Sequence, residues 1–210
     1  MGSDEIFPWV RAGRLDLADL LAGLDEHEWR VGSLCAGWTV RDVAAHMTMS
    51  TRTTLPVILR GIVRARGDFD RMVDQVARER AARFGPAELI AQLRETAGSR
   101  HRTLGSTHVD GLLDVLVHTQ DIAIPLGRVH PMPTEPAVAA LRHVVASRFY
   151  GARKRLRGTR LVATDWDFAT GDGPTEIRAT VGELLMLASG RTGHPASVPT
   201  DSPAADSAKR

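Results

Sequence analysis

The stretch Val109 to Arg128, VDGLLDVLVHTQDIAIPLGR, constrains the fold more than any other part of this 210-residue chain. It is apolar on nearly every side, the pattern of a helix buried all round, yet it carries Asp114 and His118 four residues apart. That spacing stacks both side chains on one face of a helix. Burying the two without partners would cost roughly 1–3 kcal/mol each or more, so something polar has to meet them. The candidate is His46, in GWTVRDVAAHM, with a divalent metal between the three. Two histidines and one carboxylate match the ligand count of a catalytic zinc site, which keeps a position open, and the same set suits nickel or ferrous iron.

Asp121 lies three residues after His118 and belongs to the same face, with Asp110 one turn before Asp114. One reading makes Asp121 a carboxylate that orients an imidazole; the other makes it a partner for a backbone amide or an arginine near the Pro125 turn. His101, His108, His130 and His143 fall in loops or on arginine-rich faces and read as surface histidines. Cys35 precedes Trp38 in a loop with no cationic neighbour in sequence, so it reads as an inert thiol. Trp9, Trp38 and Trp166 read as packing residues.

The chain around this helix follows the same physical logic. Leu17, Leu20, Leu21 and Leu24 share helical spacing and predict a first helix from about Pro8 to Leu24. Thr39 and Asp42 fit a helix-start box, and in the helix that follows His46 shares a face with Val43, Met47 and Ser50 until Pro56 bends or divides it. The arginine-rich segment 70–84 reads as a solvated connecting helix. Gly85-Pro86 opens a third bundle helix that ends in a polar loop near Gly105, and a long helix from Thr134 to Leu156 completes a four-helix core. Beyond Gly158 the alternating segments TRLVATDWDF and TEIRAT, separated by Gly171 to Pro174, predict a β-hairpin. Thr180 and Glu183 then cap a short apolar helix closed by Gly190. The expected organisation is a bundle over 1–157, a small α+β appendage over 158–191 and a disordered tail over 192–210.

Composition sets outer bounds. With 43% apolar and 25% charged residues the chain can bury one full core, and a formal charge of +2, with arginines spread over several helices, implies no nucleic-acid partner. A single cysteine excludes an internal disulfide framework and a cysteine-based zinc site, which points to a reducing cytoplasm. No signal peptide is visible in MGSDEIFPWV, and no apolar run reaches the roughly 18 residues of a membrane span.

The motifs GWTVRDVAAHM and LLDVLVHTQDIAIPLGR, with RLVATDWDFATGDGP and GELLMLASGR after them, resemble the mycothiol-dependent maleylpyruvate isomerase family of the DinB-like superfamily over about residues 8–191. The resemblance implies a mainly α, DinB-like four-helix bundle with a small C-terminal β-hairpin plus helix. It implies a metal, usually zinc, on His46, Asp114 and His118, and mycothiol, a low-molecular-weight thiol of actinobacteria, as cosubstrate. The isomerases carry a Glu where Asp114 stands, and a larger C-terminal domain whose substrate-binding arginine has no counterpart that can be placed here. The expected activity is therefore thiol addition to a small electrophile, by cis-trans isomerisation or S-transfer, with Asp121 orienting the site. Arg41, Arg52 or Arg128 would anchor an anionic substrate or thiol. The protein would act as a monomer or homodimer. The alternative is a non-catalytic DinB-like protein that binds a metal or small ligand.

Overall fold

The structure, a computed structural model, describes residues 2–52, 55–101 and 106–191. The chain divides into two compact units, Met1–Ala140 and Leu141–Arg210. The tail expected to be disordered lies outside the described residues, as does Gly105 of the loop expected there.

The first unit is built on a ring of four helices. Helix α1 (Ser3–Ala22) packs along α7 (His108–Ala123) and α6 (Pro86–Thr96), and α2 (Val40–Met47) packs against the same two. At the centre, α7 buries Leu112, Leu113, Val115, Leu116, Val117, Ile122 and Ala123, as its apolar circumference predicts. The approach of α1 to α7 is close at Gly13, where a Cβ would lie 2.8 Å from Val115 Cγ1. Two capping boxes fix where the site-bearing helices begin. Asp42 Oδ2 accepts from the backbone N–H and hydroxyl of Thr39 at 2.9 and 2.7 Å to start α2, and Asp110 Oδ2 does the same for Thr107 at 2.6 and 2.7 Å to start α7. Asp110 is thereby occupied in capping.

Several elements depart from the sequence reading, beginning with α1, which starts at Ser3 and carries Pro8 inside it. The helix carrying His46 breaks at Thr48, before Pro56 is reached, because the Thr48 hydroxyl bonds the Ala45 carbonyl at 2.7 Å and accepts from Arg80 Nε at 2.9 Å. Short α3 (Met49–Arg52) follows, and Pro56 falls in the first turn of α4 (Leu55–Arg64), where its missing N–H costs no helical bond. The arginine-rich helix α5 (Phe69–Arg83) is more than a connector: it lies on α2 and buries Met72, Val76, Ala77 and Ala81. Residues 134–156 are not one helix but α8 (Thr134–Ala146) and α9 (Ala152–Arg155). Gly151 stands at φ 68°, a left-handed conformation natural to glycine, and the Ser147 hydroxyl accepts from the Phe149 N–H at 3.1 Å, which turns the chain between them. The division between the two units falls within α8.

In the second unit the strands are β1 (Thr159–Ala163), β2 (Ala169–Thr170) and β3 (Thr175–Ala179), in the order β2-β1-β3. A hairpin is present, but it turns at 164–168, inside the first alternating segment, and pairs Leu161 with Thr170. The Gly171 to Pro174 stretch then carries the chain to the other edge of β1, where β3 runs parallel to it with Thr159 opposite Thr175. Glycine permits that passage: a Cβ on Gly173 would stand 1.9 Å from the Gly158 carbonyl carbon. The Thr180/Glu183 box opens α10 (Val181–Ala188) as expected, and Gly190 at φ 85° closes it. No helix among the described residues is long and apolar enough to cross a membrane.

Candidate metal centre

Helix α2 presents His46 and helix α7 presents Asp114 and His118, and their side chains meet. His46 Nε2 lies 3.6 Å and His118 Nε2 3.3 Å from Asp114 Oδ1, and the three ligand atoms fall within 4.8 Å of one another. Two imidazole nitrogens and a carboxylate oxygen in this cluster are a donor set that fits a divalent ion. Asp114 keeps 32% of its side-chain surface against 12% for His118, so solvent reaches the cluster on the Asp114 side.

The charges are strongly coupled. Burial alone would raise the Asp114 carboxyl, but the neighbouring His118 and His46 imidazoles outweigh it and hold the group well below the usual carboxylate range. Burial likewise opposes charge on His118, yet contacts with Asp114, Asp121 and Cys35 lift its pKa well above the ordinary value.

Asp121 is completely buried, and its Oδ2 lies 2.8 Å from His118 Nδ1. The other side of the ring faces Asp114, His118 Nε2 lying 3.3 Å from its Oδ1. Two further residues of the neighbourhood escape sequence reasoning. Cys35 Sγ lies 3.1 Å from Asp121 Oδ2 and 3.6 Å from His118 Nδ1; its separation of 83 residues from His118 leaves no local signal. Arg14 is buried on α1, and its Nη1 donates to the carbonyls of Thr96, Ala97 and Ser99 at 3.5, 3.3 and 2.9 Å. Burial pulls its guanidinium below the ordinary value, and the Asp114 carboxylate opposes that shift. A signal for Arg14 did exist: it interrupts the apolar stripe Val10, Leu17, Leu21.

The arginines expected as anchors have other partners. Arg128 forms a forked pair with Glu28, at 2.8 Å to Oε1, and bonds the Gly23 carbonyl; Arg41 donates to the Phe84 carbonyl at 2.9 Å; Arg52 pairs with Glu95. A cavity of about 440 Å³ lies on the opposite face of α7, lined by Val115, Leu116, Thr119, Gln120 and residues of α1, and none of the clustered ligands contributes to it.

Fold and site together define a DinB-like helical bundle with a histidine–carboxylate cluster between two of its helices. Residues 10–113 match the family model for the mycothiol maleylpyruvate isomerase N-terminal domain, a span that includes His46 and stops one residue short of Asp114. Two solved structures resemble the chain over 95% of both lengths, against the expectation of a larger C-terminal domain in the isomerases: a mycothiol-dependent maleylpyruvate isomerase, at 15% identity and a TM-score of 0.61, and a histidine-to-alanine mutant of such an isomerase, at 16% identity and 0.60. No curated protein matches. Residues 10–113 belong to the mycothiol maleylpyruvate isomerase N-terminal domain family.

Proposed function

We propose that the protein is a thiol-dependent isomerase or S-transferase that holds a divalent cation, zinc by preference, on His46, Asp114 and His118. The observation that carries this reading is the convergence of two imidazole nitrogens and one carboxylate from α2 and α7, in a chain with an N-terminal domain of this family. Nickel and ferrous iron suit the same donors. When bound, the cation supplies Lewis acidity that holds the cosubstrate's thiol, mycothiol in this family, as the thiolate at neutral pH.

The chain's own residues do the rest. Asp121 occupies His118 Nδ1 and leaves Nε2 directed at Asp114, and Trp38 packs against the His46 ring at 5.3 Å between centroids. The solvent-accessible Asp114 side admits thiol and electrophile. The thiolate adds to an activated double bond; rotation and departure of the thiolate give the isomer, whereas retention with protonation of the carbon gives the conjugate. Maleylpyruvate, the substrate named for the structural relatives, is the first electrophile to test.

The test is elemental mass spectrometry on the purified protein beside His46→Ala and His118→Ala, followed by a mycothiol assay with maleylpyruvate. About one equivalent of metal, lost in both folded variants, together with thiol-dependent turnover, is the expected result. Metal without turnover of any electrophile tried would favour a binding protein. Absence of metal after reconstitution would overturn the reading.

A further inference from the structure

The two imidazoles belong to different helices, and the segment leading into α2 touches the surroundings of both. At one end, the Leu34 N–H donates to the Asp121 carbonyl at 3.0 Å, and the Cys35 thiol donates to Asp121 Oδ2 at 3.1 Å. At the other end Trp38 lies against His46, and its indole N–H is fixed by Asp74 Oδ1 of α5 at 2.6 Å. The loop between these ends has a defined shape. Ser33 N–H and hydroxyl both bond the Trp38 carbonyl, at 2.8 and 2.9 Å, the Cys35 N–H bonds the Ser33 hydroxyl at 3.1 Å, and Val40 N–H bonds the Val31 carbonyl at 2.9 Å.

We propose that this loop sets the relative placement of the two imidazoles, and that Cys35 is a positioning residue whose S–H directs Asp121 Oδ2 onto His118 Nδ1. The inference rests on the metal centre proposed above. Oδ2 is shared by two donors, the thiol and the imidazole, so the carboxylate rotamer that serves His118 is the one the thiol also holds. Outer hydrogen bonds of this kind fix ring orientation and are worth about 10–100-fold in metal affinity. A cysteine that only filled space beside the core residues would need volume and no donor.

The experiment is titration of the metal-depleted full chain with Co²⁺, followed by absorption spectroscopy and by competition with a chelator. Cys35→Ala should bind Co²⁺ about 10–100-fold more weakly, with a shifted ligand-field spectrum. Cys35→Ser, which keeps a donor, should return to within about threefold of wild type. Should Cys35→Ala not fold, Cys35→Val, apolar and close in volume, gives the same comparison. Wild-type affinity and spectrum in either apolar variant, or a loss in Cys35→Ser as large as in Cys35→Ala, would overturn the positioning role and leave the metal centre standing. A thiolate-to-cobalt charge-transfer band in the wild type would overturn it differently, by making Cys35 a ligand. If the wild type binds no Co²⁺ at all, the metal centre itself falls and the positioning role with it.

Discussion

His46 and His118 stand 5.0 Å apart, ring centroid to ring centroid, yet the protein holds them in different ways. His118 is bound through Nδ1 to a fully buried carboxylate, on a helix enclosed by apolar neighbours. His46 rests against the Trp38 ring, and its own Nδ1 is buried without a hydrogen bond among the described residues. A hydrogen bond selects both the ring orientation and the nitrogen that carries the proton; packing selects only the place. The α7 half of the cluster is therefore organised by chemistry, and the α2 half by shape.

Removing each ring gives the largest test of that contrast. His46→Ala and His118→Ala should both lose metal by more than the roughly 100-fold that bounds an outer hydrogen bond, measured by chelator competition. Only His118→Ala should also cost stability, by about 1–3 kcal/mol in chemical unfolding, because it leaves the buried Asp121 without its imidazole partner. Equal losses of stability would abolish the distinction. Asp121→Asn comes next, with an expected fall of about 10–100-fold in metal affinity, an effect with no equivalent for His46. Trp38→Phe keeps an aromatic face against His46 and removes the bond to Asp74, so affinity should fall by less than about tenfold, the low end of that range; a larger loss would mean that shape alone does not hold this half.

The smallest effect is on acid stability. The Trp38 indole, against an opposing contribution from burial and with help from Arg78, holds the Asp74 carboxyl below the usual carboxylate range. A depressed folded pKa gives stability that is complete above the unfolded value of about 3.9 and is lost as pH falls through the folded value. Thermal melts of wild type should therefore fall more steeply than those of Asp74→Asn between about pH 5 and pH 2. Parallel curves would show that the Trp38 anchor contributes nothing to the shape of the α2 half.

How much of this was legible in the sequence follows the same division. Asp114, His118 and Asp121 lie on one helix, so their common face is a matter of 3.6-residue periodicity; Thr39 and Thr180 announce their helices through side-chain chemistry within four residues, whereas the Thr107 box, which takes Asp110, emerges only from the structure. The contribution of His46 was accessible only by asking what could satisfy a buried pair. Cys35 and Asp74 were not accessible, because their roles depend on neighbours brought from 86 and 36 residues away. The parallel pairing of β3 with β1, in place of the expected hairpin, had a local cause, but a quiet one. Alternation marks strands without saying which neighbour each will choose, and the choice is governed by glycines close enough for backbones to cross.

The separation between Cys35 and Asp121 also bears on the life of the chain during synthesis. At about 5–20 residues per second, the 86 residues added from Cys35 to reach Asp121 take roughly 4–17 s to translate. Throughout that interval α1 has no α7 to cover its apolar stripe, and Cys35 has no Asp121 to bond. The nascent chain is then exposed to aggregation and to chaperones, and the histidine–carboxylate cluster cannot assemble until Asp114 and His118, in the second half of the polypeptide, have emerged from the ribosome.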